Sequence, residues 1–134
     1  MLKIRPEQIE VFQPQAEVAF IERLMAHLRQ EHASVVGRLP DDVLKDMVES
    51  GLTRARQYGL TWESNLTAFV ALMFEVAPNF DEHPLIQRIL TDENVPPDDR
   101  IDVLIERTTE QNWEAAKEGY DADAWFPELR EGEE

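Results

Sequence analysis

The sequence predicts an all-α fold, a single compact domain of five to six helices with an acidic-aromatic C-terminal tail. Three observations predict it. Apolar residues recur at helical spacing along most of the chain. Proline followed by paired acids marks helix starts at Pro40-Asp41-Asp42 and Pro97-Asp98-Asp99. No segment alternates with period two for long enough to form a strand. A chain of 134 residues suits one domain. It divides into a helical domain over 1–119 and a tail over 120–134, partly disordered at its end.

Ile4, Ile9 and Phe12 punctuate residues 1–13, with Pro6 suited to a first turn. Pro14 breaks or kinks any helix crossing it. From Pro14 to Glu31 the stripe is Val18, Ile21, Leu24, Met25 and Leu28, with Phe20 beside it. Ala33 to Leu39 connects to the next helix, which opens at Pro40 and keeps its period through Val43, Leu44, Met47, Val48, Leu52 and Ala55. A helix from Trp62 to about Ala77 carries Leu66, Phe69, Val70, Met73 and Val76, and Pro78 stops it. Phe80 is a loop aromatic suited to pinning into the core. A short helix follows from Pro84 to about Thr91. The last helix runs from about Pro97 to Glu118, with Ile101, Leu104, Ile105 and Thr108 on its apolar face and Gly119 as its C-cap.

The most informative junction is Tyr58-Gly59-Leu60-Thr61-Trp62-Glu63. Gly59 suits the left-handed position after a helix end, Thr61 the following N-cap, and Glu63 the new first turn. Arg54 and Arg56 read as C-terminal cations favoured by the helix dipole.

Charge narrows the function classes. The chain holds 28 acids against 13 bases, a net charge of −15. Such a surface repels nucleic acid and anionic membrane and suits a basic protein partner. There is no cysteine, which removes disulfides, zinc–thiolate sites and thiol catalysis. No apolar run approaches the ~20 residues that span a bilayer, and the N-terminus lacks a signal core. A cytoplasmic location is expected.

Chemical motifs are absent. His27 and His32 are five apart, not an i, i+4 ligand pair. His83 with Asp81 could ligate a metal, but a polar loop explains both. Asp92-Glu93-Asn94 lacks the glycine of a calcium loop. Asp41/Asp42 and Asp98/Asp99 sit where helix N-termini favour negative charge. Ser34, Ser50 and Ser64 lack a nucleophile elbow, and no glycine-rich phosphate loop exists. The reading is a non-enzyme with no cofactor, no metal and no catalytic residue.

Partner-binding candidates are Trp62 at the turn, Trp113 on the weakly amphipathic stretch 110–118, and the tail residues Asp121, Asp123, Trp125, Phe126 and Glu128. Two roles stay open for the tail: Trp125 and Phe126 complete the core, or the acidic-aromatic arm docks on a partner. Homodimerisation through 110–118 also stays open.

Several segments together resemble a known group. They are Arg5-Pro6-Glu7-Gln8, Tyr58-Gly59-Leu60-Thr61-Trp62-Glu63, Phe69-Val70-Ala71-Leu72-Met73-Phe74, Pro78-Asn79-Phe80-Asp81 and Ile89-Leu90-Thr91-Asp92. The chain resembles small acidic all-helical proteins encoded beside type VI secretion spike, PAAR-tip and effector genes in Gram-negative bacteria. The likeness covers roughly residues 4–107 and not the tail. It implies a protein-binding role, as adaptor or chaperone for a secreted effector. The alternative it implies is an immunity protein that neutralises a cognate toxin. It carries no catalytic residues over to this chain.

Overall fold

A computed structural model describes residues 14–126. Seven α-helices form among them, and no strand: α1 (Pro14–Glu31), α2 (Ala33–Val36), α3 (Asp41–Gln57), α4 (Glu63–Glu75), α5 (Pro84–Leu90), α6 (Arg100–Arg107) and α7 (Glu110–Glu118). Short 3-10 turns lie at Phe80–Glu82, Pro97–Asp99 and Ala122–Trp125. The expectations for residues 1–13 and for Glu128 fall outside the described residues.

The core forms where the helical stripes meet. Leu44, Val48, Leu52 and Ala55 of α3 face Leu66, Phe69, Val70 and Met73 of α4, all buried. Close approach of these helices depends on Gly51. A methyl there would stand 2.9 Å from Met73 Sδ and 3.1 Å from Val70 Cγ2. Phe80 is fully buried, its ring centroid 5.0 Å from that of Phe69. Ile86, Ile89 and Leu90 of α5 and Ile101 and Leu104 of α6 close the far side.

On α1 the buried face is Phe20, Ile21, Leu24 and Leu28, rotated slightly from the predicted stripe. Phe20, Leu24 and Leu28 follow one another at i, i+4, i+8, which points a single row at α3 and α4. Val18 is left at the edge, 52% exposed.

The junction after α3 takes the predicted turn. Gly59 has φ +90°, the one positive φ among the described residues, and a Cβ there would also meet Pro97 Cβ at 3.1 Å. Leu60 drops into the core. The expected cap differs. Trp62, extended at φ −72° and ψ 136°, holds the N-cap position of α4 without a side-chain cap. Thr61 and Trp62 instead donate their backbone N–H groups to Asp98 Oδ1, at 2.9 and 3.2 Å.

The predicted last helix also divides, at Thr108. Thr108 is extended, and Thr109 caps α7 through a reciprocal box with Asn112. Two adjacent β-branched residues weaken the helix there, while a threonine with a side-chain acceptor three residues on favours a new start. The stretch 33–39, read as a connection, contains the single turn α2.

Two substitutions test this packing. Gly59→Val places a β-branched residue in left-handed backbone against Pro97, and is expected to cost about 1–3 kcal/mol, read as a lower Tm. Gly51→Leu overpacks the α3–α4 contact and is expected to cost a similar 1–3 kcal/mol by urea unfolding.

Candidate functional site

The antiparallel pair α1–α3 is fastened at both ends. Near the start of α1, the Glu17 carboxylate accepts from the two terminal nitrogens of Arg56, Nη1 and Nη2, at 2.8 and 2.9 Å. Near its end, Arg29 reaches Asp41 Oδ1 at 2.7 Å and the carbonyls of Val36 and Leu39 at 3.0 and 2.7 Å. These are the bidentate and forked arrangements for which a guanidinium is suited.

Between the two clamps lies an open groove of about 670 Å³. Val18, Ile21, Met25 and Ala26 of α1 form its apolar floor. Acids stand on both walls: Glu22 on α1, and Asp42 and Glu49 on α3, with Lys45 between the latter two. Among the described residues no cation pairs with Glu22, Asp42 or Glu49.

A second polar constellation gathers around Arg54. Arg54 is nearly buried and donates to Asp81 Oδ1 at 3.3 Å and to the carbonyls of Pro78 and Ala124. Tyr58 OH donates to the other Asp81 oxygen at 2.7 Å. Burial pushes the Asp81 carboxyl up, and the Arg54 charge and Tyr58 hydrogen bond only partly offset it. Burial, reinforced by the negative charge of Asp81, pushes the Tyr58 phenol up. Both Asp81 oxygens are engaged, one by Arg54 and one by Tyr58, which makes the cluster a fastening. Arg54 also lines an open pocket of about 490 Å³ with Ser50, Gln57 and Phe126.

The partner-binding candidates do not assemble into one site. Trp62 stands alone, 63% exposed. Trp113 is half-buried against the core. Trp125 is buried, its ring 4.6 Å from Phe74, and its carbonyl accepts from Ser50. Phe126 packs partly against the same core. Asp121 Oδ1 accepts from Asp123 N at 3.0 Å, holding the last 3-10 turn. Asn79 fastens this segment, donating to Gly119 O at 2.8 Å and accepting from Asp121 N at 2.9 Å.

Of the metal candidates, His27 and His32 come together, their ring centroids 5.8 Å apart with His32 Nδ1 paired to Glu75, while the others are engaged separately. His83 Nδ1 accepts from Leu85 N as the cap of α5, while Asp81 faces Arg54. Asp92 Oδ1 turns back to Asn94 N at 2.9 Å. Among the described residues no group of three or more His, Asp or Glu side chains could hold a metal ion.

No family model, curated protein or solved structure matches the chain. The groove itself escaped the sequence reading, which spent Val18 and Met25 on the core stripe. The available signal was the row Phe20, Leu24, Leu28, which already fills a core face and leaves Val18 and Met25 beside it. Arg54 had a signal too: it lies three residues after Gly51, on the side of α3 that approaches α4.

Removing the Arg54 charge strands a buried carboxylate. Arg54→Met is expected to cost about 3–5 kcal/mol, and adding Asp81→Leu to recover part of it, by chemical denaturation. Asp98 carries the pH signature. Burial works against its charge, but the Thr61 side chain and backbone, Asn65 and the Trp62 backbone outweigh it and hold its carboxyl below the ordinary range. Its stabilisation is therefore present above the unfolded pKa, about 3.9, and is lost as pH falls through the folded value. Asp98→Ala is expected to cost about 1 kcal/mol at pH 7, with the gap to the native chain narrowing in acid. Asp81 has the opposite sign, because its raised pKa makes its contribution fall as pH rises above the unfolded value.

Proposed function

We propose that this chain is a non-enzymatic, protein-binding accessory factor that acts as adaptor or chaperone for a secreted effector. One observation carries the protein-binding part: the apolar, acid-rimmed groove between α1 and α3. Apolar surface left open and rimmed by polar groups is the form that peptide-binding surfaces take. The type VI secretion setting comes from the resemblance of the Tyr58–Glu63 junction and the segments that accompany it. A shallow groove on rigid helices suits an adaptor, which must hold its cargo and then release it at the spike.

The net charge of −15 favours a second reading, an immunity protein steered onto a basic toxin. The two roles part on what is bound. An inhibitor must occlude the toxin's working domain, whereas a loader can hold any segment of the cargo.

The test is recovery of tagged protein from the native host, with its bound proteins identified by mass spectrometry. An effector recovered with spike or PAAR components is the expected result. A toxin recovered alone, and silenced on mixing, would establish immunity instead. Recovery of neither would remove both readings.

A further inference from the structure

We infer that the α1–α3 groove receives an amphipathic helix of about three turns with lysine or arginine on both flanks, supplied by the effector. The inference rests on the adaptor reading and gives its partner a chemistry.

The form of the occupant follows from the walls. Both walls are α-helices whose backbone groups bond within the helix. An extended segment laid between them would find no strand edge, and its own N–H and C=O groups would lose water without gaining partners. A helix satisfies its backbone internally and offers a single apolar stripe. From Glu17 to Arg29 the floor runs about 18 Å at the helical rise, which matches three turns. A third helix seated over the seam of two is an ordinary packing arrangement.

The charge of the occupant follows from the rim. Arg56 and Arg29 are engaged with Glu17 and Asp41 at the two ends. Glu22, Asp42 and Glu49 have no cation partner among the described residues, and Lys45 is the one base between them. Asp42 and Glu49 are seven residues apart on α3, two turns on one side, so they call for two cations at i and i+7 on the facing flank. Glu22 on the opposite wall calls for one on the other flank. Val18, 52% exposed, is the large apolar floor residue left open to solvent. Burial of the stripe supplies affinity, and the flanking charges set orientation and encounter rate.

The test uses the full chain and two synthetic helical peptides of about fourteen residues. Both carry one Leu/Ile stripe, flanked by lysines in the first peptide and by glutamates in the second. Fluorescence anisotropy titration is expected to show the lysine peptide binding roughly tenfold more tightly at low salt, with the gap closing as salt rises. Val18→Glu is expected to abolish that binding, and Asp42→Lys with Glu49→Lys to reverse the preference. Ile105→Glu, at a residue 56% exposed on α6, is expected to leave it unchanged. Helical circular dichroism confirms that each variant is folded. Equal binding of both peptides, binding indifferent to Val18→Glu, or no binding at all would overturn the inference. A Val18→Glu protein that still recovers the effector from the host would overturn it too, while leaving the adaptor role standing. Failure of the native chain to recover any effector would remove the role and leave the peptide result intact.

Discussion

The nearly buried Arg54 guanidinium is the constraint on which one end of the molecule depends. It touches Asp81 and two backbone carbonyls, from Pro78 and Ala124. With α3, which carries Arg54, they join the loop after α4 and the last 3-10 turn, stretches that Asn79 and Ser50 also tie together. Taking a charge out of water is costly, so such a group is tolerated only where its donors are matched by acceptors. Asp81 is 4% exposed and is matched in turn by Tyr58. Once this cluster is in place, Phe80 and Trp125 are carried into the core on either side of it. The acidic-aromatic segment up to Phe126 is thereby part of the domain.

The fastening at that end directs attention to the other. α3 and α4 spend their apolar faces chiefly on each other, and α5 packs on α6, which also touches α4. α1 covers the remaining edge of this core with Phe20, Leu24 and Leu28, leaving Val18 and Met25 over the seam. The two arginine clamps keep α1 and α3 in register without filling the space between them. The groove is thus a remainder of the packing held at fixed width, which is what a reversible docking surface requires: no rearrangement before binding, and modest area lost on release.

Local features of the fold were legible in the sequence. Helical period covered every helix of seven residues or more, though it ran α6 and α7 together, and Gly59 announced its left-handed turn because no neighbour can supply that conformation as easily. Non-local features were not. The Thr61 cap was read from its own segment, and the actual acceptor, Asp98, lies 37 residues on. Asp98 was read as serving its own helix start, when its carboxylate bonds Thr61, Trp62 and Asn65 of another. Arg54 read only as a helix C-terminal cation, because nothing near it in sequence declares Asp81 or Ala124 as a neighbour. The break at Thr108 lay within reach, since Thr109 and Asn112 together spell a capping box. The groove was hidden for a different reason: a periodic stripe names the apolar residues but not how many of them the neighbouring helices have room to cover.

The Asp98 cap has a consequence for the order in which the molecule can be completed. A ribosome emits α3, the Gly59 turn and α4 well before residue 98, at roughly 5–20 residues per second. Until then the backbone N–H groups of Thr61 and Trp62, at the entry to α4, are open to water, because no side chain of that segment takes the place of Asp98. Arg100 arrives just behind Asp98 and bonds the Tyr58, Leu90 and Val95 carbonyls, sealing the same corner from the opposite side. The central hairpin of this chain is therefore begun early and finished late. A nascent chain halted before α6 would hold the two helices side by side with their shared corner still unlatched.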